Sequence, residues 1–403
     1  MTNSESDRPQ PHVSVWAILV AFLALGLTSF GGPIAHLGYF RNTFVSRKRW
    51  LDERSFADLV ALCQVLPGPT SSQVGMGIGL TKAGWPGMIA AWLGFTLPSA
   101  IAMTVFGYGT TAYHDAIPPG LLHGLKIVAV AVVAQAVYGM ARTLCPDWRR
   151  RGLALAAALA VLVVPIPAMQ IVVIAIGALA GLVLLRSEVA ASPASLAIPL
   201  SKRLGLFSIA LFFVLLFGLP VLAPLFPSQT LALIERFYRA GALVFGGGHV
   251  VLPLLQSAVV PPGWVSNESF LAGYGAAQAV PGPLFTFASY LGAVMEPPPQ
   301  GWAGSVICTL AIFAPSFLLM IGILPFWAQL RDAAGVQNAL QGVNATVVGL
   351  LLAALYTPVA TSALLSPGDF ALALADLALL MLARVPPVAI VGLSAAAGWL
   401  MSI

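Results

Sequence analysis

The sequence predicts an all-α fold, a polytopic transmembrane protein built from helices. Of its 403 residues, 59% are hydrophobic and only 8% are charged, whereas about 25% of the residues are charged in an ordinary soluble domain. The apolar residues come in runs long enough for the roughly 20 residues that a membrane-spanning helix needs. They do not form the short alternating segments of an outer-membrane barrel, and only helices or closed barrels satisfy the backbone in hydrocarbon. A water-soluble fold is therefore excluded.

The apolar segments divide the chain into four parts. Residues 1–12 form a polar N-terminal tail without the basic start or cleavage site of a signal peptide, so we expect none to be removed. A first transmembrane repeat is predicted at 13–185, a linker with one unmatched transmembrane helix at 186–228, and a second transmembrane repeat at 229–403. The predicted apolar segments of the repeats are 13–36, 56–80, 86–108, 121–141, 153–185, 231–255, 268–292, 303–327, 339–356 and 369–402.

An internal duplication is the basis for the two repeats. Phe30-Gly31-Gly32 recurs as Phe245-Gly246-Gly247, and Pro67-Gly68-Pro69 recurs as Pro281-Gly282-Pro283. Other pairs continue the series in the same order, with offsets between 214 and 218 residues: Trp50 with Trp264, Ser55-Phe56 with Ser269-Phe270, Gln64 with Gln278, Gly84-Trp85 with Gly301-Trp302, and Pro98-Ser99 with Pro315-Ser316. Chance does not produce an ordered series of this length, so we predict two homologous repeats.

The distribution of charge predicts that the repeats are inverted relative to each other. Residues 1–203 carry 15 of the 19 lysines and arginines, and the second-half loop at 256–269, equivalent to the first basic loop, carries none. Because basic loops stay in the cytoplasm, the matched loops are expected to face opposite compartments. A parallel repeat, with one fewer crossing, stays the alternative. We attribute the net charge of +5 to topology and expect no nucleic-acid partner.

Both repeats contain helices that we expect to be broken or re-entrant. The Pro-Gly-Pro triplets lie in the middle of apolar runs, where proline removes a backbone donor and glycine permits conformations closed to other residues. Irregular backbone at membrane depth is tolerated only when it is buried in protein or lines a wet cavity. Breaks at matching places in two halves are a pointer to the binding site of a transporter, although a single such break also occurs as a packing kink.

The residues after the first Pro-Gly-Pro triplet favour an anion. Thr70, Ser71, Ser72 and Gln73 open a new half-helix, which presents backbone N–H groups, a positive dipole end and hydroxyls together. The second copy has one hydroxyl, that of Thr286, so we expect the first half to supply more polar contacts. The candidate substrate-binding residues are Gly31, Gly32, Pro33, His36, Arg41, Pro67, Gly68, Pro69, Thr70, Ser71, Ser72, Gln73, Lys126, Gly246, Gly247, Gly248, His249, Pro281, Gly282, Pro283, Thr286 and Asn344.

Several of these candidates have a simpler interpretation. His36 and His249 follow the glycine motifs but do not align, which is more typical of packed histidines than of ligands. Lys126 is a natural counter-charge for a dianion, or it extends to the membrane interface; its counterpart Asn344 is neutral. Arg41 either attracts an oxyanion or sets topology.

Two acidic residues are candidates for proton transfer. Asp58 is the acid that we expect in a helix near the Pro-Gly-Pro break, where burial would allow its carboxyl group to carry a proton. Its counterpart by offset is Ala272. Asp376 lies far from either motif, and we expect it near a membrane interface. Asp58 is therefore the predicted site of proton coupling.

Motifs for other chemistry are missing from the sequence. There is no phosphate-binding loop for ATP and no HExxH metal motif, and the acidic residues form no cluster. Cys63, Cys145 and Cys308 have neither a disulfide nor a metal-ligand spacing. We expect no cofactor, no metal and no enzymatic activity.

At this point the motifs resemble a known family. FGGPIAHLGYF, the Trp50 to Phe56 segment and LPGPTSSQVGMGIG, together with FGGGHVVLPLL and AVPGPLFTFASYLG in the second half, resemble the signatures of the chromate ion transporter family, whose long-chain members are duplicated. The resemblance covers nearly the whole chain. It implies a multi-pass protein of the bacterial inner membrane that exports chromate, driven by the proton gradient, with sulfate as the natural structural analogue.

The physical chemistry of chromate agrees with export. Chromate and sulfate are tetrahedral dianions, and a negative cytoplasm drives them outward by about 2.3 kcal/mol per charge per 100 mV. The expected partners are the oxyanion, protons and the lipid bilayer, with a homodimer left open. The alternatives are a transporter of sulfate or a related oxyanion, an anion channel, and, ranked last, a membrane subunit that needs a soluble partner.

Overall fold

The computed structural model describes residues 13–113, 116–186, 200–331 and 333–401, and within them the fold is helical without a strand. The predicted all-α class is confirmed. The polar tail at 1–12 and most of the polar linker lie outside the described residues. The helices are α1 Val15–Thr28, α2 Gly32–Phe40, α3 Glu53–Val65, α4 Thr70–Ala112, α5 Pro119–Leu144, α6 Trp148–Val163, α7 Pro167–Leu184, α8 Lys202–Leu222, α9 Gln229–Ala242, α10 Val251–Val259, α11 Asn267–Ala277, α12 Phe287–Val294, α13 Gly301–Ile323, α14 Trp327–Arg331, α15 Ala334–Ala354, α16 Thr361–Ala363, α17 Pro367–Met381 and α18 Pro387–Met401.

Within the described residues, five helical segments are long and apolar enough to cross a membrane. They are Thr70–Ala112, Pro119–Leu144, Lys202–Leu225, Gly301–Arg331 and Ala334–Ala363. The first of these is not one straight helix, because Ala83 and Gly84 have non-helical backbone angles and separate residues 70–82 from the rest of α4. The chain is a multi-pass membrane protein.

The Phe-Gly-Gly and Pro-Gly-Pro motifs form the tips of four helical hairpins in the described residues. Hairpin A joins α1 to α2, hairpin B joins α3 to residues 70–82, hairpin C joins α9 to α10, and hairpin D joins α11 to α12. Their helices have 8 to 14 residues, which corresponds to about 12 to 21 Å at 1.5 Å per residue. Such helices are too short for a hydrocarbon core about 30 Å thick.

Contacts across each hairpin show that its two arms lie side by side. In hairpin A the rings of Phe22 and Phe44 stack with centroids 4.7 Å apart. Leu59 packs against Gly77 in hairpin B, and Tyr290 packs against Gly273 in hairpin D. In hairpin C the guanidinium group of Arg236 donates to the carbonyl of Ala258. Each pair joins residues at similar distances before and after the tip, as an antiparallel hairpin requires.

The hairpin tips of one half contact those of the other half in a reciprocal manner. The Gly68 N–H in hairpin B donates to the Val244 carbonyl in hairpin C at 2.7 Å. The Gly282 N–H in hairpin D donates to the Ser29 carbonyl in hairpin A at 2.9 Å. Gly68 and Gly282 are equivalent in the duplication, as are Ser29 and Val244. The two bonds are therefore the same contact formed twice.

The later helices repeat this reciprocity through small residues. Gly124 of α5 lies against the backbone of Ser394 in α18, and Gly342 of α15 lies against Gly177 in α7. These are again equivalent pairs, separated by 217 or 218 residues. Small residues let helices approach closely where lipid supplies no hydrophobic driving force. As a result, α5 packs on α17 and α18 while α15 packs on α6 and α7, and the two halves interlock.

The structure has two ends, defined by where the chain turns. The basic end contains the bases of hairpins A and B, Arg331 at the end of α14, and the segment before α6. Arg331 pairs with Asp58 of hairpin B, and Arg150 donates to Gln341 near the start of α15. The opposite end contains the base of hairpin D and the beginnings of α5 and α17.

Candidate functional site

A buried polar cluster lies where the four hairpin tips meet. His36 of hairpin A is within 3.2 Å of both the Ser71 hydroxyl and the Ser29 carbonyl. Gln73 of hairpin B donates from Nε2 to the Pro67 carbonyl at 2.7 Å and to the Ser316 hydroxyl at 3.4 Å. We call this set, with the neighbouring Ser72, the tip cluster. It joins residues that are far apart in the sequence and come from both halves.

The backbone of the glycine and proline motifs completes this meeting point. Gly248, at the start of the second arm of hairpin C, lies beside Pro33 of hairpin A and Leu284 of hairpin D. Gly246 lies beside Asn344 of α15. Helical structure begins at or directly after each motif, at Gly32, Thr70, Gly248 and Leu284. Four helix N-termini, each with free or weakly held N–H groups, therefore lie around the centre.

Glycine is required at the two Pro-Gly-Pro tips. Gly68 has a φ of 123° and Gly282 a φ of 98°, values that residues with a side chain rarely adopt. A Cβ at Gly68 would also collide with the Ser316 hydroxyl, and one at Gly282 with the Ser99 hydroxyl. Ser99 and Ser316 are equivalent residues, so the same close contact occurs at both tips.

Several buried polar atoms at the tips have no protein partner. They are the hydroxyl oxygens of Ser29, Ser72 and Thr96 and the amide oxygen of Gln73. Ser72 is 1% exposed and Gln73 is fully buried. Most buried polar groups are hydrogen-bonded, so such a concentration is unusual. The hydroxyls are able to donate to an anion, whereas the amide oxygen only accepts.

The second half supplies fewer polar groups to the tips. The Thr286 hydroxyl donates to the Pro283 carbonyl of its own turn at 2.8 Å. Its neighbours Phe285 and Phe287 are fully buried. His249 is engaged with the Tyr274 hydroxyl at 2.9 Å. The polar donors at the centre thus come mainly from Ser71, Ser72 and Gln73 in the first half.

Other charged candidates lie away from the tips, towards the basic end. Arg41 forms an ion pair with Glu53, and both side chains are exposed. Asp58 accepts hydrogen bonds from Trp327 Nε1 at 3.1 Å and from Arg331 at 3.2 Å. Both partners belong to α14 in the second half.

Two further acidic residues define helices and their packing. At the base of hairpin B, Asp52 caps α3 by accepting from the Ser55 N–H at 2.9 Å, and this hydrogen bond lowers the pKa of the Asp52 carboxyl. Asp376, which we expected near a membrane interface, is buried in α17, 2% exposed.

A cavity of about 860 Å³ occupies the opposite end of the molecule. Lys126 Nζ lies there 3.0 Å from Glu268 at the base of hairpin D. His123 Nε2 lies 2.9 Å from Asp369 at the start of α17. Both pairs connect α5 with the second half. Lys126 is therefore separate from the tip cluster with which the sequence grouped it.

Sequence reasoning missed the contributions of Ser29, Thr96, Ser99 and Ser316. The signal for two of them was present, because Pro98-Ser99 and Pro315-Ser316 recur in the duplication. Their role is visible only in the fold, where each serine lies against the glycine tip of the other half. Among the described residues, no group of three or more His, Cys, Asp or Glu side chains could hold a metal ion.

Comparison with known proteins identifies the family. Residues 16–182 and 231–399 both match the sequence model of the chromate transporter family. The chain belongs to this family. It is 27% identical over 354 residues to a probable chromate transport protein of Synechococcus elongatus, covering 85% of the chain and 84% of the relative. It is 26% identical over 352 residues to a chromate transport protein of Pseudomonas aeruginosa, covering 87% of the chain and 82% of the relative.

An archaeal protein matches to the same extent. An uncharacterized transporter of Methanocaldococcus jannaschii is 27% identical over 341 residues, covering 83% of the chain and 82% of the relative. No solved structure matches the chain. Since the two matched segments are equivalent stretches of the two halves, each half carries the family signature, and the tip motifs fall inside both segments.

Proposed function

We propose that this protein is a secondary transporter that exports chromate from the cytoplasm across the bacterial inner membrane, coupled to the proton gradient, and so confers resistance to chromate. The observation that carries the proposal is the meeting of four broken helices at a buried cluster with unpartnered hydroxyls. Membership of the chromate transporter family and the named relatives give chromate as the substrate.

The tip cluster suits a tetrahedral dianion for electrostatic reasons. Helix N-termini and hydroxyls supply hydrogen-bond donors that replace the hydration of an anion, and they are worth more where water is excluded. The Ser72 hydroxyl is buried without a protein partner, and the Ser71 hydroxyl faces a histidine ring. Both can turn towards a guest molecule with little loss. Sulfate has the same shape and charge, so a transporter of sulfate or a related oxyanion is the first alternative.

The reciprocal contacts support alternating access by inverted halves. Interhelical hydrogen bonds in membranes contribute on average about 0.6 kcal/mol, so the paired contacts of Gly68 and Gly282 are weak enough to exchange as one half rocks against the other. By the positive-inside rule we assign the basic end to the cytoplasm. The cavity beside Lys126 then faces the outside.

Asp58 is our candidate for proton coupling. Its carboxylate bridges hairpin B to Trp327 and Arg331 at the basic end. A proton on Asp58 would cancel the ion pair and loosen this end. Asp58→Asn is therefore expected to weaken the dependence of flux on the proton gradient more than it weakens anion binding. Equal pH profiles for the variant and the parent protein would remove Asp58 from the mechanism.

The test of the function uses everted membrane vesicles. Energised vesicles containing the protein are expected to accumulate labelled chromate, and the double change Ser71→Ala with Ser72→Ala is expected to reduce the initial rate strongly at an unchanged amount of protein. Ser208→Ala, a buried serine in α8, is the matched control. Undiminished uptake by the double variant would argue against the tip cluster as the substrate site.

The same assay separates the alternatives. If sulfate competes with chromate at equal concentration, the substrate class is a tetrahedral oxyanion and not chromate alone. A flux that stays proportional to the driving force without saturation would indicate an anion channel. The near-complete burial of Ser72 and Gln73 favours a transporter, since an open channel would expose them to water.

A further inference from the structure

The cavity near Lys126 and the tip cluster are different places in the fold. The cavity is lined by residues from the end of α4, the start of α5, the base of hairpin D, and the ends of α17 and α18. Its volume of about 860 Å³ is within the range of small-molecule sites, about 300 to 1,000 Å³. It could hold an oxyanion together with part of its hydration shell.

Lys126 supplies a cation that is buried against the wall of this cavity. Its side chain is only 9% exposed, while the side chain of its partner Glu268 is 81% exposed. A buried ammonium group requires a counter-charge. An exposed carboxylate fulfils this role weakly, because water competes for it and its side chain loses entropy when it is held. Glu268 is thus able to turn into the solvent when another anion arrives.

The other polar groups of the cavity determine what it accepts. Ser266 and Ser269, whose hydroxyls lie 3.0 Å apart, are donors beside Glu268. The negative charge of Asp369 is engaged by His123 and by the N–H groups of Leu365 and Ser366. Tyr290 contributes a hydroxyl that is already donated to the Ser269 carbonyl. The group left to change partner is the ammonium of Lys126.

We propose that this cavity is an anion-binding antechamber, in which Lys126 binds a tetrahedral oxyanion that displaces Glu268. The inference rests on the proposed function, in that the oxyanion is the transported one. Ala272 and Tyr290 line the cavity and belong to the two arms of hairpin D, whose tip hydrogen-bonds to Ser29 at the tip cluster. The antechamber is therefore the outer station of the same route.

The experiment compares three variants at this pair. Lys126→Gln is expected to raise the apparent KM for chromate in everted vesicles by about tenfold, which corresponds to about 1.4 kcal/mol, with a smaller effect on kcat. Lys126→Arg retains the charge and is expected to preserve most of the affinity. Glu268→Gln removes the competing carboxylate and is expected to lower the KM. Lys202→Gln, at the start of α8, is the control for loss of a lysine elsewhere.

Binding without transport separates this inference from the proposed function. Calorimetric titration of the purified protein with chromate or sulfate is expected to show binding that Lys126→Gln abolishes and Glu268→Gln strengthens. If the parent protein moves no chromate in vesicles but binds an oxyanion through Lys126, the antechamber stands and the transport proposal fails. If chromate is transported while Lys126→Gln and Glu268→Gln change neither KM nor the dissociation constant, the antechamber is wrong. A gain of affinity in Glu268→Gln cannot result from misfolding.

Discussion

The two ends of the molecule are built from equivalent positions and differ in what fills them. At the basic end Asp58 is buried against Trp327 and Arg331. The equivalent position at the other end is Ala272, which lines the cavity. Thr110 lines the same cavity and is equivalent to Trp327 by the offset of 217 residues. Larger and charged side chains thus close one end, and small ones leave the other open.

This difference teaches that duplicated hairpins do not require equal ends. The reciprocal bonds of Gly68 and Gly282 show that the backbone at the tips is nearly the same in both halves. The closure is decided instead by side chains at the hairpin bases. In an alternating-access cycle the Asp58–Arg331 pair would have to separate when the basic end opens, and the cavity would have to close.

The largest effect is expected from closing the open end. Ala272→Trp places a large ring where its equivalent end has the Asp58 cluster, and the cavity wall has no room to absorb it without closing the path to hairpin D. Chromate uptake in everted vesicles is expected to fall by about tenfold or more. Ala102→Trp, at an exposed position of α4, is the control of equal size. Normal uptake by Ala272→Trp would show that the cavity is not on the route.

A smaller effect is expected for a matched pair of cysteines that report on the two ends. Ser269 lines the cavity, and its equivalent Ser55 is buried at the basic end. In a background without the three native cysteines, Ser269→Cys is expected to react with a membrane-impermeant maleimide about tenfold faster than Ser55→Cys, because burial limits thiolate formation and access.

Breaking the Asp58–Arg331 pair is expected to reverse this ratio. Arg331→Gln leaves Asp58 without its counter-charge, so the basic end is expected to open and the labelling of Ser55→Cys to rise. The labelling of Ser269→Cys is expected to fall in the same background if the two ends alternate. Simultaneous increases at both positions would indicate general loosening of the fold and would contradict alternation.

The sequence was informative about the tips and uninformative about the ends. Glycine and proline restrict the backbone wherever they occur, so the breaks at Pro67–Pro69 and Pro281–Pro283 followed from local chemistry and from their recurrence. The all-α class followed from composition. The hairpin geometry did not, because a break in an apolar run is equally compatible with a kinked helix that continues across the membrane.

The partners of charged residues depended on contacts between the halves. Lys126 was grouped with the tips because it lies in an apolar helix, but its partner Glu268 is 142 residues away. Asp58 was placed near a break, yet its partners in α14 come from the other half. Such pairings arise from the interlocked packing of α5 and α15, for which a single sequence has no local signal.

The smallest effect is expected for the other ion pair at the basic end. Arg41 pairs with Glu53, but both side chains are 57% exposed, and exposed pairs contribute little because water and salt screen them. Arg41→Ala is therefore expected to change the rate of chromate uptake and the labelling of Ser55→Cys by less than about twofold, in contrast to Arg331→Gln. Glu53→Ala is expected to behave in the same way. A strong loss of uptake in Arg41→Ala that Glu53→Ala does not share would mean that Arg41 attracts the oxyanion at the cytoplasmic face, and that charge at this end contributes more than closure.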